Sequence, residues 1–274
     1  MRPGWTLTTL LLLALPAPAA PLPLHLAANY WEPYTGKDLP QQGVASDIVS
    51  TALRRAGYAV DITIMPWSRV LTSAYQHQND GVVAIWSTSE RRGKLLFSDS
   101  YMSNQLFILH MPCRLQDAST LAQLSGARIG IGRDYEYSDE FLSQKNVQLE
   151  PVDRTIQNLL KLTIGRIDGV LEDKLIAQYH IQSNIAAHDA LGDIEFAPAP
   201  LMTLPLYLAI NPQTAHARQI IEQFNLELGK MRKDGTLDTI IARFQQQLAP
   251  KTPPSPRQRR DCAQEHAAPA PNKP

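Results

Sequence analysis

The sequence predicts an α/β fold with two lobes and a cleft between them. Short apolar strands alternate with amphipathic helices through the first hundred residues, and the alternation restarts after an apolar strand at Leu106–Leu109. This strand–helix–strand order indicates parallel sheets that are covered by helices on both faces. Two such units in series produce a cleft that can close on a small ligand.

In the first unit, apolar residues at strand and helix spacing predict three strands and two helices. Ser46 is the predicted cap of the first helix and Gly57 its end, whereas Pro66 opens the second helix. The predicted strands are Leu24–Ala27, Val60–Ile64 and Gly81–Trp86.

The second unit repeats this order. Asp153 is the predicted cap of its helix and Gly165 its end, and Glu172-Asp173 closes the strand that follows. Two helices complete the body after the last strand. The predicted strands of this unit are Arg128–Gly132, Asp168–Leu171 and Leu204–Ile210.

Both ends of the chain differ from the body. Residues 1–19 combine Arg2, an uncharged run from Leu7 to Leu15 and the sequence Ala17-Pro18-Ala19, which is the pattern of a secretory signal peptide. Residues 250–274 contain seven prolines and few apolar residues, which predicts a disordered tail. No later stretch is apolar for long enough to cross a membrane. We therefore expect a periplasmic protein that is not embedded in a membrane.

Charge and motifs exclude several classes of function. Six of the 26 basic residues but only two of the 26 acidic residues lie in the two end segments, so the body is net acidic and lacks the basic face that binds nucleic acid. None of the seven histidines has a histidine four residues away or a cysteine neighbour, so we expect no metal ion. Motifs for nucleophilic hydrolysis or phosphate binding are absent from the sequence, and we expect no cofactor.

Arg91 is the first candidate for ligand binding, because it follows the strongly apolar strand Gly81–Trp86. Open α/β sheets bind ligands at the carboxyl ends of their strands, and the planar guanidinium suits a carboxylate held by two hydrogen bonds. The alternative interpretation is a structural ion pair.

Five motifs carry a resemblance to a known family between about Leu24 and Phe244. The sequence resembles the periplasmic solute-binding proteins that serve as polar amino acid receptors of ABC transporters, bacterial extracellular solute-binding protein family 3. The motifs are Gly43-Val44-Ala45-Ser46-Asp47-Ile48, Thr88-x-Glu90-Arg91, Phe97-Ser98-x-x-Tyr101, Gly165-Arg166-Ile167-Asp168-Gly169 and Met231-Arg232-Lys233-Asp234-Gly235-Thr236-Leu237.

The resemblance implies a type II periplasmic-binding-protein fold with two parallel or mixed sheets. Lobe 1 would contain residues 20–107 and 206–249, and lobe 2 residues 108–205. Strands near Leu106–Leu109 and Leu204–Leu208 would form the hinge on which the lobes close. The resemblance further implies a monomer that binds a small polar solute, is not an enzyme and delivers its ligand to a membrane permease.

The resemblance also assigns roles to residues. Arg91 would hold the ligand carboxylate with Thr88 nearby, and Asp173 would hold the ligand ammonium. Trp31 would stack on the ligand and Trp67 would line the cleft. Paired opposite charges replace the water that a zwitterion loses on entering a cleft, and aromatic faces attract an ammonium. Helix capping is the alternative role for Asp173, and burial in the core is the alternative for the tryptophans.

Two segments depart from the family pattern. Ala84-Ile85-Trp86 stands where amino acid receptors carry small hydroxyl residues, and Asp134-Tyr135-Glu136-Tyr137 stands where they carry a Gly-Thr pair. An acidic pair there would repel a carboxylate. With Tyr34, Trp86 and Tyr135 added to the cleft, a larger, flatter or more cationic solute is also compatible with the sequence.

The two cysteines, Cys113 and Cys262, are too few for a zinc site. In an oxidising compartment they predict one disulfide that tethers the tail to the body, and two unpaired thiols are the alternative.

Two further functions remain compatible with the fold. A periplasmic enzyme, such as a dehydratase, could use Glu136 or Asp173 as an acid–base group near Arg91. A sensor or accessory protein would bind the same solute without a transporter. Fold alone does not choose among them.

Overall fold

The first three strands form the parallel sheet that the sequence predicts. The structure is a computed structural model that describes residues 21–133, 135–184 and 188–247. The central strand, β1 (Leu22–Ala28), is paired in parallel with β2 (Tyr58–Ile64) on one side and with β3 (Gly81–Trp86) on the other. All six residues of β3 are buried, because helices cover both faces of the sheet.

The helices of the first unit pack on opposite faces of this sheet. On one face, α1 (Val44–Arg55) joins the largest apolar cluster together with Leu24 and Leu26 of β1. On the other face, α2 (Trp67–Tyr75) packs its residues Val70 and Ala74 against Ala27 and Val82. The C-terminal helices α8 (Ala217–Lys233) and α9 (Thr236–Gln247) belong to the same cluster as α1.

One long strand, β5 (Met102–His110), connects the two units. Its first half pairs antiparallel with β10 (Met202–Ile210), and its second half pairs antiparallel with β8 (Gly169–Asp173). Next to β8 lie the parallel strands β6 (Arg128–Gly132) and β7 (Gln148–Val152). The two predicted sheets are therefore joined into one continuous sheet, in which the strand order is β2-β1-β3-β10-β5-β8-β6-β7.

The remaining elements are helices of the second unit and short connections. In the second unit, α5 (Thr155–Thr163) and α6 (Lys174–Ser183) flank β8 in the chain. The short elements are α3 (Ser89–Arg92), α4 (Asp139–Leu142), α7 (His188–Leu191), β4 (Leu96–Phe97) and β9 (Glu195–Phe196).

Two predicted helix caps are wrong. Ser46 is buried within the first turn of α1, because the helix already begins at Val44 and Gly43 is its N-cap. Asp153 precedes the true N-cap of α5, Arg154, and its carboxylate instead forms an ion pair with Arg133 at 2.6 Å. In both cases the local pattern placed the polar residue near the helix start but not at the capping position.

Several earlier expectations concern residues outside the described ranges. These are the signal peptide at residues 1–19, the tail at 250–274, and Cys262 with its predicted link to Cys113. The disulfide and the lobe boundaries stay predictions. Within the described residues, none of the helices combines the length and apolar character that crossing a membrane requires.

Gly43 allows α1 to begin directly against the first loop. Its φ of 101° and ψ of 165° fall in a region that only glycine adopts readily. A Cβ atom here would lie 2.4 Å from the carbonyl oxygen of Tyr34. The carbonyls of Pro33 and Tyr34 accept hydrogen bonds from the first amides of α1, which have no partners within the helix.

We expect Gly43→Ala to lower the free energy of unfolding by on the order of 2 kcal/mol, from backbone strain and the clash with Tyr34. Gly229→Ala in α8 is the matched control, because a Cβ atom there meets nothing within 4 Å. That change should stabilise the helix by about 1 kcal/mol. Denaturant unfolding of both variants tests this, and equal stability of the two would contradict it.

Glu172, near the end of β8, is a buried carboxyl group. Burial raises its pKa from 4.5 to about 7, although the hydroxyl of Thr155 at 2.6 Å and the amide of Asp173 at 2.9 Å donate to the carboxylate. The folded protein therefore binds this proton more tightly than the unfolded chain does. The contribution of this proton to the free energy of unfolding is fully present below about pH 4.5. It is lost as the pH rises to about 7.

The free energy of unfolding of the wild type should fall by about 3 kcal/mol between pH 4.5 and 7, since each pKa unit corresponds to about 1.4 kcal/mol. We expect Glu172→Gln to abolish this part of the fall, because glutamine does not titrate. Some pH dependence should remain, because burial also raises the pKa of Asp173. Unfolding measured between pH 4.5 and 8 tests the prediction, with the exposed Glu195→Gln as control. Identical pH profiles for wild type and Glu172→Gln would contradict it.

Candidate functional site

The short turn that follows the carboxyl end of β3 buries Arg91. Thr88 caps α3, and its hydroxyl accepts a hydrogen bond of 3.2 Å from the Arg91 amide. This short turn directs the guanidinium back towards the strand, where Nη1 donates to the carbonyl oxygen of Trp86 at 2.9 Å. Arg91 is only 1% exposed, so the strand end holds a buried cation.

Two neighbours compensate the buried guanidinium in part. A Glu136 carboxylate oxygen lies 3.3 Å from Nη2 of Arg91, and the guanidinium carbon lies 5.2 Å from the centre of the Trp67 ring. Burial lowers the pKa of Arg91, while the charge of Glu136 and the nearby Tyr75 oppose that shift. An arginine nevertheless stays protonated in a protein, so the site carries a permanent positive charge.

Several polar atoms at this site have no protein partner. Among the described residues, Nε of Arg91 and Oε2 of Glu136 are buried without a hydrogen bond, and so are the indole nitrogens of Trp31 and Trp67. Buried polar groups are ordinarily hydrogen-bonded. Three donors and one acceptor at this site are therefore unsatisfied among the described residues.

Aromatic side chains form one wall of the site. Trp31 lies 4.8 Å from Tyr34, 5.9 Å from Trp86 and 6.3 Å from Tyr135, measured between ring centres. The rings of Trp86 and Tyr135 are 5.5 Å apart and meet edge to face. Such contacts stabilise the wall beyond the burial of its area.

These residues surround a pocket of about 30 Å³, which in this conformation has room for a molecule the size of water. An apolar pocket with a few polar groups is the usual form of a small-molecule site. The lining residues are Asn29, Trp31, Trp67, Ala84, Ile85, Trp86, Arg91, Tyr135, Glu136 and Leu206.

Asp173 is not among the residues that line this pocket. It is 2% exposed and caps α6. Burial raises its pKa, and the hydrogen bonds it accepts oppose that shift. The donors, at 2.9–3.2 Å, are Tyr34 Oη, Asn104 Nδ2 and the amides of Gln105, Leu175 and Ile176. In this arrangement its carboxylate is saturated by the protein.

The structure thus brings together five of the eight predicted ligand-binding residues in the pocket lining. Thr88 supports Arg91 from α3, and Tyr34 connects the aromatic wall to Asp173. The ligand contacts of all eight stay predictions. The five lining residues are Trp31, Trp67, Trp86, Arg91 and Tyr135.

Sequence reasoning did not select two polar residues of the lining. Asn29 directly follows β1 at its carboxyl end, which is the same signal that selected Arg91 after β3. Glu136 entered only as a source of repulsion and as an acid–base group of an enzyme. Its pairing with Arg91 joins distant segments and has no local signal.

Comparison with known proteins gives a consistent result. The chain is 25% identical over 162 residues to a protein of Escherichia coli (strain K12) provisionally named ABC transporter arginine-binding protein 2. That match covers 57% of this chain. It spans 62% of the Escherichia coli protein, less than two thirds of that protein's length. The L-cystine-binding protein TcyA of Bacillus subtilis (strain 168) is 20% identical over 217 residues, covering 78% of this chain and 77% of TcyA.

Solved structures share the fold at low identity. An ancestral arginine-binding protein bound to arginine has a TM-score of 0.68 at 19% identity. The superposition covers 82% of this chain and 99% of the ancestral protein. A histidine kinase sensor domain has a TM-score of 0.67 at 18% identity and covers 81% and 95% of the two chains. The ancestral amino acid-binding protein AncCDT-1, a precursor of cyclohexadienyl dehydratase, has a TM-score of 0.64 at 18% identity. That superposition covers 81% of this chain and 94% of AncCDT-1. These likenesses show the fold alone.

The family itself is shown by a more extensive match. The family model for bacterial extracellular solute-binding proteins, family 3, matches residues 26–247, which include nearly all of the described chain. The fold is accordingly the type II periplasmic-binding-protein fold that the sequence motifs implied. The chain belongs to the bacterial extracellular solute-binding proteins, family 3.

Proposed function

We propose that this protein is a periplasmic receptor that binds a small, carboxylate-bearing polar solute, an amino acid or a related compound, and delivers it to an ABC transporter. The observation that carries the proposal is the buried Nε of Arg91, which has no partner among the described residues and belongs to a residue that lines an apolar pocket. A carboxylate would accept this hydrogen bond and compensate the buried charge at the same time.

The relatives support this class of ligand and this mode of action. The two curated relatives are named for binding arginine and cystine, and one name includes an ABC transporter. Arginine and cystine both carry α-carboxylates. The aromatic rings next to Arg91 supply the apolar contact that the rest of such a solute needs.

The contacts between the two predicted lobes support closure on the ligand. Arg91 of lobe 1 meets Glu136 of lobe 2, and Tyr34 of lobe 1 donates to Asp173 of lobe 2 at 3.0 Å. Opening of the cleft would break both contacts. A ligand that bridges the same surfaces would favour the closed form by its greater affinity for that form.

An enzyme is the second candidate, and Glu136 is the observation that favours it. A carboxylate beside a buried arginine could act as an acid–base group on a carboxylated substrate. Incubation of the protein with candidate ring acids, followed by product analysis, separates the two. A receptor returns its ligand unchanged.

We expect Arg91→Ala to weaken binding of a carboxylate ligand by about 2–5 kcal/mol, which is roughly thirtyfold to several thousandfold in Kd. Arg91→Lys should restore only part of the affinity, because an ammonium does not reproduce the planar two-pronged contact. The ligand is first identified by a thermal-shift screen of amino acids, polyamines, opines and aromatic acids. Its affinity is then measured by calorimetry.

Arg92→Ala is the matched control, since Arg92 lies on the same helix but is exposed. Arg91→Ala also removes the hydrogen bond to Trp86 and leaves Glu136 without its cation. All affinities are therefore measured below the melting temperature of the ligand-free variant. Equal affinity of Arg91→Ala and Arg92→Ala would contradict the proposed carboxylate site.

A further inference from the structure

Among the described residues, the pocket lining contains one cationic and one acidic side chain. Arg91 and Glu136 approach to 3.3 Å, and the other lining residues that the structure describes are uncharged. One oxygen of Glu136 faces Arg91, while the other oxygen, Oε2, is buried without a partner. A ligand that enters between Arg91 and Glu136 when the cleft opens therefore meets an unsatisfied acceptor as well as an unsatisfied donor.

We propose that Glu136, rather than Asp173, receives the ligand ammonium, and that Glu136 thereby makes the pocket selective for zwitterions over plain carboxylates. This inference rests on the proposed function, since it requires that a carboxylate binds at Arg91. It assigns the selectivity to a residue of the segment that follows β6.

The hydrogen bonds of Asp173 argue against that residue. Its two oxygens already accept bonds from side chains and from the amides that begin α6. An ammonium could reach this carboxylate only if Tyr34 or Asn104 gave up its bond, or if the helix lost its cap. Each such loss leaves a buried polar group unpaired.

The charges of the pocket argue for Glu136. A plain carboxylate at Arg91 would lie beside the Glu136 carboxylate, and two like charges at that distance repel each other. Oε2 of Glu136 would also stay without a donor. A zwitterion removes both penalties, because an α-amino acid carries its ammonium and its carboxylate on one carbon. Charge-assisted hydrogen bonds would then form on both sides of the existing ion pair.

Pairs of probes that differ only in the ammonium group test this inference. The pairs are L-phenylalanine with 3-phenylpropanoate, L-norleucine with hexanoate, and L-arginine with 5-guanidinopentanoate. Calorimetry gives the Kd of each probe for the wild-type protein and for Glu136→Gln, which keeps the size of the side chain and removes its charge. Arg91→Ala is included to show whether binding depends on the carboxylate site.

Two further variants are controls. Asp173→Asn keeps an oxygen that can cap α6 but removes the charge, so it tests the competing residue directly. Glu140→Gln removes an exposed acidic charge four residues after Glu136 and tests any general effect of net charge. Both should discriminate between the members of a probe pair as the wild type does.

We expect the wild type to bind the amino acid of at least one pair more tightly than its deaminated partner by roughly tenfold to a hundredfold. In Glu136→Gln that ratio should fall to about threefold or less, chiefly through weaker binding of the amino acid. The inference would be overturned if Arg91→Ala abolished binding while Glu136→Gln kept the full ratio of Kd values between the two members of the pair. That outcome would leave the proposed function in place. Loss of the ratio in Asp173→Asn alone would overturn the inference as well. Failure of all six probes to bind the wild type would overturn the inference, whereas the proposed function is decided by the thermal-shift screen.

Discussion

The burial of the Arg91 guanidinium is the constraint on which the rest of the site depends. A charged group that is almost wholly removed from water needs hydrogen bonds and a counter-charge. The carbonyl oxygen of Trp86 supplies one bond, Glu136 supplies the charge and the Trp67 ring covers one face. These three partners come from separate parts of the chain, so the cation fixes where those parts meet.

One partner of Arg91, Trp86, is held in place by a second buried network. The indole of Trp86 donates to Asn104 at 2.8 Å, Asn104 donates to Asp173, and Tyr34 donates to the same carboxylate. Because β5 pairs with β10 and then with β8, Asn104 lies where the two units of the sheet join. The network thus connects the aromatic wall to the start of α6, and it gives Asp173 a structural role in this conformation.

Parts of this arrangement could be predicted from the sequence because their causes are local. The strand Gly81–Trp86 was predicted with its observed bounds, since an unbroken apolar run is typical of a strand buried on both faces. The position of Arg91 at the strand end followed from the same run. The parallel pairing of the first three strands followed from the alternation of strands and helices.

Other parts depend on contacts between distant residues and left no local signal. The cap predicted at Ser46 was wrong because Gly43, in a conformation open to glycine, starts α1 earlier against the first loop. The saturation of Asp173 requires donors from the first loop, from β5 and from α6. The pairing of Glu136 with Arg91 joins residues 45 positions apart in the chain. Such pairs follow from the closed tertiary structure rather than from the pattern around each residue.

The central claim is that Arg91 holds the carboxylate of a bound solute in the pocket beside Trp31 and Trp86. The most direct test is a crystal structure of the protein with the carboxylate-bearing compound that binds it most tightly. The account predicts a ligand carboxylate oxygen within hydrogen-bond distance of the Arg91 guanidinium, with Nε among the donors. A ligand bound elsewhere, with the Arg91 guanidinium still in contact with Glu136 and with no ligand atom, would contradict the account.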